Sequence, residues 1–324
     1  MQKHLGLLFV VLLAGCANAP SEKAGTAGST APSAANADFT RFYKQFRATL
    51  SPSQAKLFTD SFNGNVVPYR VAQKAARSQP ELTKTFEEYV GPMLKAERVS
   101  VARARLEENR DVLEQIALKT GVPPEVVIAL WGIETNFGNS QGKHPVIPAL
   151  ATLAWESHRQ EFYQKELHAA LDLTEQNNFG PDIKGSWAGA LGQPQFMPST
   201  YLRAGVDGDG DGRVDLFNDL PDVFASTANL LKLNGWKRGL AWRITLPENA
   251  PAPNLKLNER GLSEPFDPSG YKLAGIAGGE KYRYYRPTSG PAFLLGPNFT
   301  AVLRWNNSSY FAYSVLALAD MLKD

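Results

Sequence analysis

The chain has 324 residues, 43% of them hydrophobic and 20% charged, with 34 Lys and Arg against 32 Asp and Glu for a formal charge of +2. This composition belongs to a folded globular chain of one large domain or two closely packed ones, and it excludes an intrinsically disordered protein. The near balance of charges, with basic residues dispersed rather than clustered, argues for an ordinary solvated surface and against nucleic acid as a partner.

The first sixteen residues, MQKHLGLLFVVLLAGC, place Lys3 and His4 before an apolar run from Leu5 to Leu13. The run is shorter than the about 20 residues that span a bilayer, and it suits the apolar region of an export signal. Leu13-Ala14-Gly15-Cys16 resembles the lipobox of bacterial lipoproteins, which implies residues 1–16 as a signal peptide and lipidation at Cys16. Cys16 is the single cysteine, so the chain can form no internal disulfide. Ala17 rather than Asp after the cysteine points, within that class, to the outer membrane and a body facing the periplasm. Residues 17–38 are rich in Ala, Ser, Gly, Thr and Pro without hydrophobic periodicity, and read as a flexible tether.

From Phe39 to about Leu240 the pattern is helical. Residues 39–120 carry amphipathic segments broken near Gly91-Pro92, and Pro123-Pro124 marks the start of the next helix. That helix, EVVIALWGIETNFG over 125–138, is apolar almost all the way round after Glu125 and carries one carboxylate near its end, Glu134. Val127, Leu130 and Trp131 share its face. Desolvation there raises the pKa of a carboxyl group and favours the neutral acid, as a glycosidase general acid requires. A Glu pointing to water from a last helical turn fits the spacing equally well, so the stretch alone leaves both readings open.

Residues 185–201, GSWAGALGQPQFMPSTY, combine small residues, amides and aromatics. Such a stretch can wall a sugar groove, where flat apolar faces stack on pyranose rings and amides pair with hydroxyl and N-acetyl groups; it can equally be a Gly-rich turn against the core. Next, DGDGDGRVDLFN sets Asp207, Asp209 and Asp211 at positions 1, 3 and 5 of an EF-hand-like loop. Gly212 falls at the turn, Arg213 offers a backbone carbonyl at position 7, and Asp215 stands at 9. Asn218 replaces the usual bidentate Glu at 12, so a structural Ca²⁺ of modest affinity is expected. The four histidines show no ligand spacing, and no catalytic metal or other cofactor is indicated. Residues 241–303 turn Pro- and Gly-rich around short β-prone runs, and a last helix is expected over 308–323. The fold class is therefore mainly α, in the α+β sense.

GIETNFG, ATLAW, SWAGALGQPQFMPSTY, DGDGDGRVDLFND, NLLKLNGWKRG and RWNNSSYFAYSV occur in that order. The set resembles the lytic murein transglycosylase B family over most of the chain from about Phe39. The resemblance implies a lysozyme-like catalytic core, spanning about 121–240, within a single domain over 39–324. It implies Glu134 as the sole acid/base in cleavage of the MurNAc-β-1,4-GlcNAc bond of peptidoglycan, leaving 1,6-anhydro-MurNAc ends. Ser186 matches a serine beside the catalytic Glu, and Gln195, Phe196 and Met197 match the groove wall. Trp305, Asn306 and Tyr310 fall in the late aromatic-Asn element, and Tyr89 matches a tyrosine near the site. Trp305, Phe311 and Phe162 stand where tyrosines are expected, so their phenolic hydrogen bonds should be lost and only stacking surface kept.

Two alternatives stay open at this level. A lysozyme-type hydrolase would need a second carboxylate, for which Glu156, Glu161 and Asp182 are the candidates. A non-catalytic peptidoglycan-binding lipoprotein would use the groove only to hold glycan. The expected partners are glycan strands, a membrane through Cys16, and other cell-wall enzymes, with the chain acting as a monomer.

Overall fold

The computed structural model describes residues 34–77, 84–287 and 290–323. Cys16, the signal region and most of the expected tether lie outside the described residues. The end of the tether is corrected: α1 begins at Ala34, and Phe39, Tyr43 and Phe46 on its inner face are buried. The first five residues of this helix are small or polar and show no apolar period before Phe39, so the sequence does not mark the start.

After α1 (Ala34–Arg47), α2 (Pro52–Asp60), α3 (Arg70–Arg77) and α4 (Phe86–Val90), a 3-10 turn at Gly91–Leu94 occupies the predicted break. Then α5 (Ala96–Glu108) and α6 (Arg110–Thr120) lead to α7 (Pro124–Thr135). Gly121 closes α6 with φ 77°, and the chain bends by 111° between the axes of α6 and α7. Pro124 opens α7, where the missing N–H costs nothing. Every residue from Val126 to Thr135 is buried, so α7 has no solvent face. It is packed by α5, α6, α11 (Leu220–Leu233) and α13 (Ser309–Asp320).

Between α7 and α11 the chain forms β1 (His144–Pro145), α8 (Val146–Glu156), α9 (Gln160–Gln176), β2 (Lys184–Gly185) and α10 (Pro198–Ala204). β1 and β2 pair antiparallel, His144 opposite Gly185. The pair is two residues long, too short to show as a period in the sequence.

The predicted β-containing segment is present as a three-stranded antiparallel sheet in the order β3 (Arg243–Thr245), β5 (Phe293–Leu295), β4 (Arg283–Tyr285). Strand alternation splits its side chains between two cores. Phe293, Leu295 and Tyr285 join the main helical core, while Leu294 and Tyr284 pack with Leu246 and Tyr282 in a smaller one. The segment is not wholly extended: α12 (Pro297–Leu303) was not anticipated and brings the chain back into the core before α13. Asn298 on α12 fixes that junction. Its Oδ1 accepts from the Lys237 N–H at 2.7 Å, and its Nδ2 donates to the carbonyls of Lys237 and Leu240 at 2.9 and 2.7 Å. Among the described residues no single helix is long and apolar enough to cross a membrane.

Asn298→Ala removes three hydrogen bonds at a side chain 1% exposed. The expected loss is about 2–4 kcal/mol in urea unfolding; an unchanged midpoint would show that the α11–β3 junction is held by packing alone.

Candidate active site

Glu134 sits in the last turn of α7 and is 6% exposed. A carboxyl group in that setting is costly unless hydrogen-bonded. The Nε1–H of Trp305, from the connection between α12 and α13, donates to Glu134 Oε1 at 2.7 Å. The expectation that Trp305 would lose a hydrogen bond and keep only stacking surface is therefore corrected. Trp305 is 9% exposed, its ring set edge-on to Phe196 at 5.2 Å, and its polar edge meets the acid. Indole and phenol differ in shape but each presents a donor, which residue type alone did not reveal.

The helix end that carries Glu134 is unusual. Asn136, Phe137 and Gly138 have φ of 51°, 58° and 81°, three left-handed residues in succession. A phenylalanine there is strained and must be held by its surroundings. Its ring occupies the space over Gly132, where an added Cβ would lie 2.6 Å from Phe137 Cζ. Thr135 Oγ1 accepts from the Gly138 N–H at 3.1 Å and donates to the Gln193 carbonyl at 2.9 Å. Arg98 on α5 donates to the Gly132 carbonyl at 2.6 Å, a second donor beside the Asn136 N–H at 3.1 Å.

The segment after β2 lies against this helix end. Gln193 is its key side chain: Oε1 accepts from the buried Trp131 indole at 2.6 Å and Nε2 donates to the Phe217 carbonyl at 2.9 Å. Ser186 Oγ accepts from the Ala190 N–H at 2.9 Å, which leaves the hydroxyl proton to donate. Gln195, with φ 52°, donates to the carbonyls of Gln141 and Gly192 at 3.1 and 2.8 Å. Gln195, Phe196 and Met197 are all buried, so the structure places them in the wall behind the surface rather than as open sugar platforms.

Asn306 is fully buried beside Trp305, and neither its Oδ1 nor its Nδ2 has a hydrogen-bond partner. An orphaned buried amide is unfavourable and marks a position where another group completes the bonding. Tyr89 and Tyr310 are brought together, with ring centres 5.9 Å apart, and Arg260 lies over the Tyr310 ring at 4.5 Å. Of the candidate second carboxylates, Glu156 accepts from Gln73 Nε2 at 2.8 Å, and Glu161 and Asp182 are exposed. None shares the burial of Glu134. The other buried Glu, Glu166, accepts from the Ser199 N–H and hydroxyl at 3.0 and 2.6 Å, holding the start of α10; burial pushes its carboxyl above the usual range.

The acidic loop lies between α10 and α11. Carboxylate oxygens of Asp207, Asp209 and Asp211 come within 4.8 Å of one another. Gly210 and Gly212, at φ 84° and 90°, let the chain coil around them. Asp207 accepts from the N–H groups of Gly212, Gly210 and Asp211 at 2.9, 2.7 and 3.2 Å. These bonds, that of Gly212 foremost, hold its carboxyl below the ordinary range. The Arg213 N–H donates to Asp211, and Asn218 bonds Asp215 through both its backbone and its side chain. Asp222 is buried and accepts from the Gly208 and Asp215 N–H groups at 2.6 Å each, clasping both limbs of the loop.

A family model described as "Transglycosylase SLT domain" matches residues 38–320. The chain belongs to this family. Membrane-bound lytic murein transglycosylase B of Escherichia coli strain K12 is 32% identical over 222 residues, which is 65% of this chain and 60% of that protein, less than two thirds of its length. SltB3 of Pseudomonas aeruginosa, solved with NAG-anhNAM-pentapeptide, superposes with a TM-score of 0.73 at 33% identity, covering 88% of this chain and 79% of that one. The Escherichia coli lytic transglycosylase SLT35, solved with calcium, gives a TM-score of 0.73 at 25% identity, covering 88% and 92%. The family and the lysozyme-like fold read from the motifs are thereby confirmed.

Gln193, Arg98, Thr135 and Asp222 were not singled out by sequence reasoning. Gln193 lay inside the quoted motif but looked like one amide among several; Arg98 looked like any cation on an amphipathic helix. Gln193→Ala would strand the buried Trp131 indole N–H. It is expected to destabilise the fold by about 1–3 kcal/mol in chemical denaturation; a wild-type midpoint would mean that the α7 end holds itself.

Proposed function

We propose that the protein is a lytic murein transglycosylase cleaving the MurNAc-β-1,4-GlcNAc bond of peptidoglycan, with Glu134 as its single acid and base. The observation that carries this is a buried carboxyl group at a helix end, met by the Trp305 indole, with none of the candidate second carboxylates sharing its burial. Protonated Glu134 gives its proton to the glycosidic oxygen as the bond from C1 to that oxygen breaks. The N-acetyl group of the muramoyl ring supports C1 from within the substrate, in the place a second carboxylate takes in a retaining glycosidase. Glu134, now ionised, removes the proton from the C6 hydroxyl of the same sugar, and O6 closes on C1. One bond breaks, one forms, the carboxyl group regains its proton and no water is used.

Ser186 suits a sugar oxygen through its hydroxyl proton. Tyr310, half-buried with Arg260 over its ring, stands at the margin where a glycan can lie, and Tyr89 is buried behind it. The occupants of the groove are glycan strands, a reading supported by the NAG-anhNAM-pentapeptide bound to the Pseudomonas relative. The chain works as a monomer held at the outer membrane, facing the periplasm, by lipid at Cys16, near other cell-wall enzymes. The name of the Escherichia coli relative as membrane-bound supports the membrane part of this reading.

Glu134→Gln retains the shape and the indole contact but has no proton to donate. Glycan cleavage should fall at least about a thousandfold with the fold intact by circular dichroism. Wild-type turnover by this variant would sink the assignment.

The acidic loop is a structural Ca²⁺ site in this reading. Asp207, Asp209, Asp211, the Arg213 carbonyl and Asn218 are its ligands, and the cation would offset the mutual repulsion of the carboxylates. Three convergent carboxylates on a coil closed by Asp222 fit a hard cation. Millimolar Ca²⁺ should raise the thermal midpoint, EDTA should reverse the rise, and Asp209→Asn should weaken it. A midpoint indifferent to Ca²⁺ would remove the site.

A further inference from the structure

The hydrogen bond between Trp305 and Glu134 has one possible polarity. An indole nitrogen carries one hydrogen and accepts nothing, so Trp305 donates and Oε1 of Glu134 accepts, at 2.7 Å. Two consequences follow from ordinary carboxyl chemistry. In the neutral acid the carbonyl oxygen is the better acceptor; Oε1 therefore takes the carbonyl role and the proton resides on Oε2. Once the proton has left, negative charge spreads over both oxygens and the same N–H becomes a charge-assisted donor, about twice as strong as before. The bond is thus stronger when Glu134 is ionised than when it is neutral, and it strengthens as proton transfer proceeds.

The indole is not free to swing away. Its ring is wedged edge-on to Phe196, both residues being buried. Its main-chain N–H donates to the Val302 carbonyl at 3.0 Å, at the end of α12. Three residues on, Ser308 caps α13, its Oγ accepting from the Phe311 N–H at 3.3 Å, so both ends of the connection are tied.

We infer that Trp305 is a positioning residue for the proposed reaction: it assigns the transferable proton to Oε2 of Glu134 and stabilises the carboxylate that forms as the proton departs. The inference rests on the reading of Glu134 as acid and base. A tyrosine in this position, which the family resemblance leads one to expect, carries a hydroxyl that both donates and accepts, and would not impose this polarity. An interaction that strengthens as the proton leaves lowers the barrier of the bond-breaking half of the reaction without improving ground-state binding. Its loss should therefore appear in kcat and leave KM alone.

The cleanest test replaces Trp305 in the full chain by β-(3-benzothienyl)alanine, in which sulfur takes the place of the N–H at almost unchanged shape. On a soluble glycan substrate kcat should fall by about ten- to a hundredfold with KM unchanged, while the thermal midpoint falls because a buried acceptor loses its donor. A kcat equal to wild type would overturn the inference, because a residue that only fills space would not register the exchange. Trp305→Phe should lose kcat likewise. A second measurement is independent of turnover. The indole ¹H–¹⁵N resonance of Trp305, assigned by its absence in Trp305→Phe, should move downfield as rising pH ionises Glu134, and should stay put over the same range in Glu134→Gln. A resonance that does not move would overturn the inference even in an active enzyme. A protein that released no anhydro product while the resonance moved would instead refute the reading of Glu134, and with it the catalytic role, leaving the hydrogen bond itself in place.

Discussion

A carboxyl group that is 6% exposed, on a helix buried along ten consecutive residues, persists only where the surrounding chain supplies its partners. The rest of the molecule is arranged around that constraint. α7 is enclosed by α5, α6, α11 and α13, so its apolar sides contribute to the core while its last turn is directed at a polar junction. The sharp bend after α6 sets its direction, and the α12–α13 connection delivers Trp305 to Oε1. The sheet over 243–295 serves the same end: β5 alternates its side chains between two cores, and the chain then re-enters the helical body at Asn298 on the way to Trp305.

Strain concentrates where the acid is held. Three left-handed residues directly after Thr135 are unfavourable in isolation, and one is a phenylalanine. The compensation is local. Phe137 fills the space that Gly132 leaves open, Thr135 ties the turn to the Gln193 backbone, and Gln193 satisfies the Trp131 indole. A cap of this kind gives the last turn of α7 one conformation, and so gives Glu134 one orientation. Asn306 next to Trp305 shows the complementary pattern, a buried amide whose bonding the protein alone does not complete.

Much of this was legible in the residues. The apolar sweep of 126–138 marked the buried helix and made Glu134, the one carboxylate within it, a candidate acid. The order of motifs marked the family, and the Asp/Gly spacing marked the coiled acidic loop. What escaped was of three kinds. Two-residue strands and the short α12 are below the length at which periodicity has meaning. Contacts distant in sequence, such as Trp305 with Glu134 or Trp131 with Gln193, depend on how helices pack and leave no mark on local pattern. And an amide in a Gly-rich stretch reads as a sugar ligand, whereas Gln193 and Gln195 spend their amides on the protein's own backbone and indole.

The central claim is that one carboxyl group serves as acid and then as base, with the sugar's own C6 hydroxyl closing the reaction. Mass analysis of the fragments released from intact peptidoglycan tests it most directly. The account predicts muramoyl ends lighter by one water than reducing ends, and no incorporation of ¹⁸O from labelled solvent. Reducing ends carrying ¹⁸O would contradict it, and would mean that a water and a second base act in the groove instead.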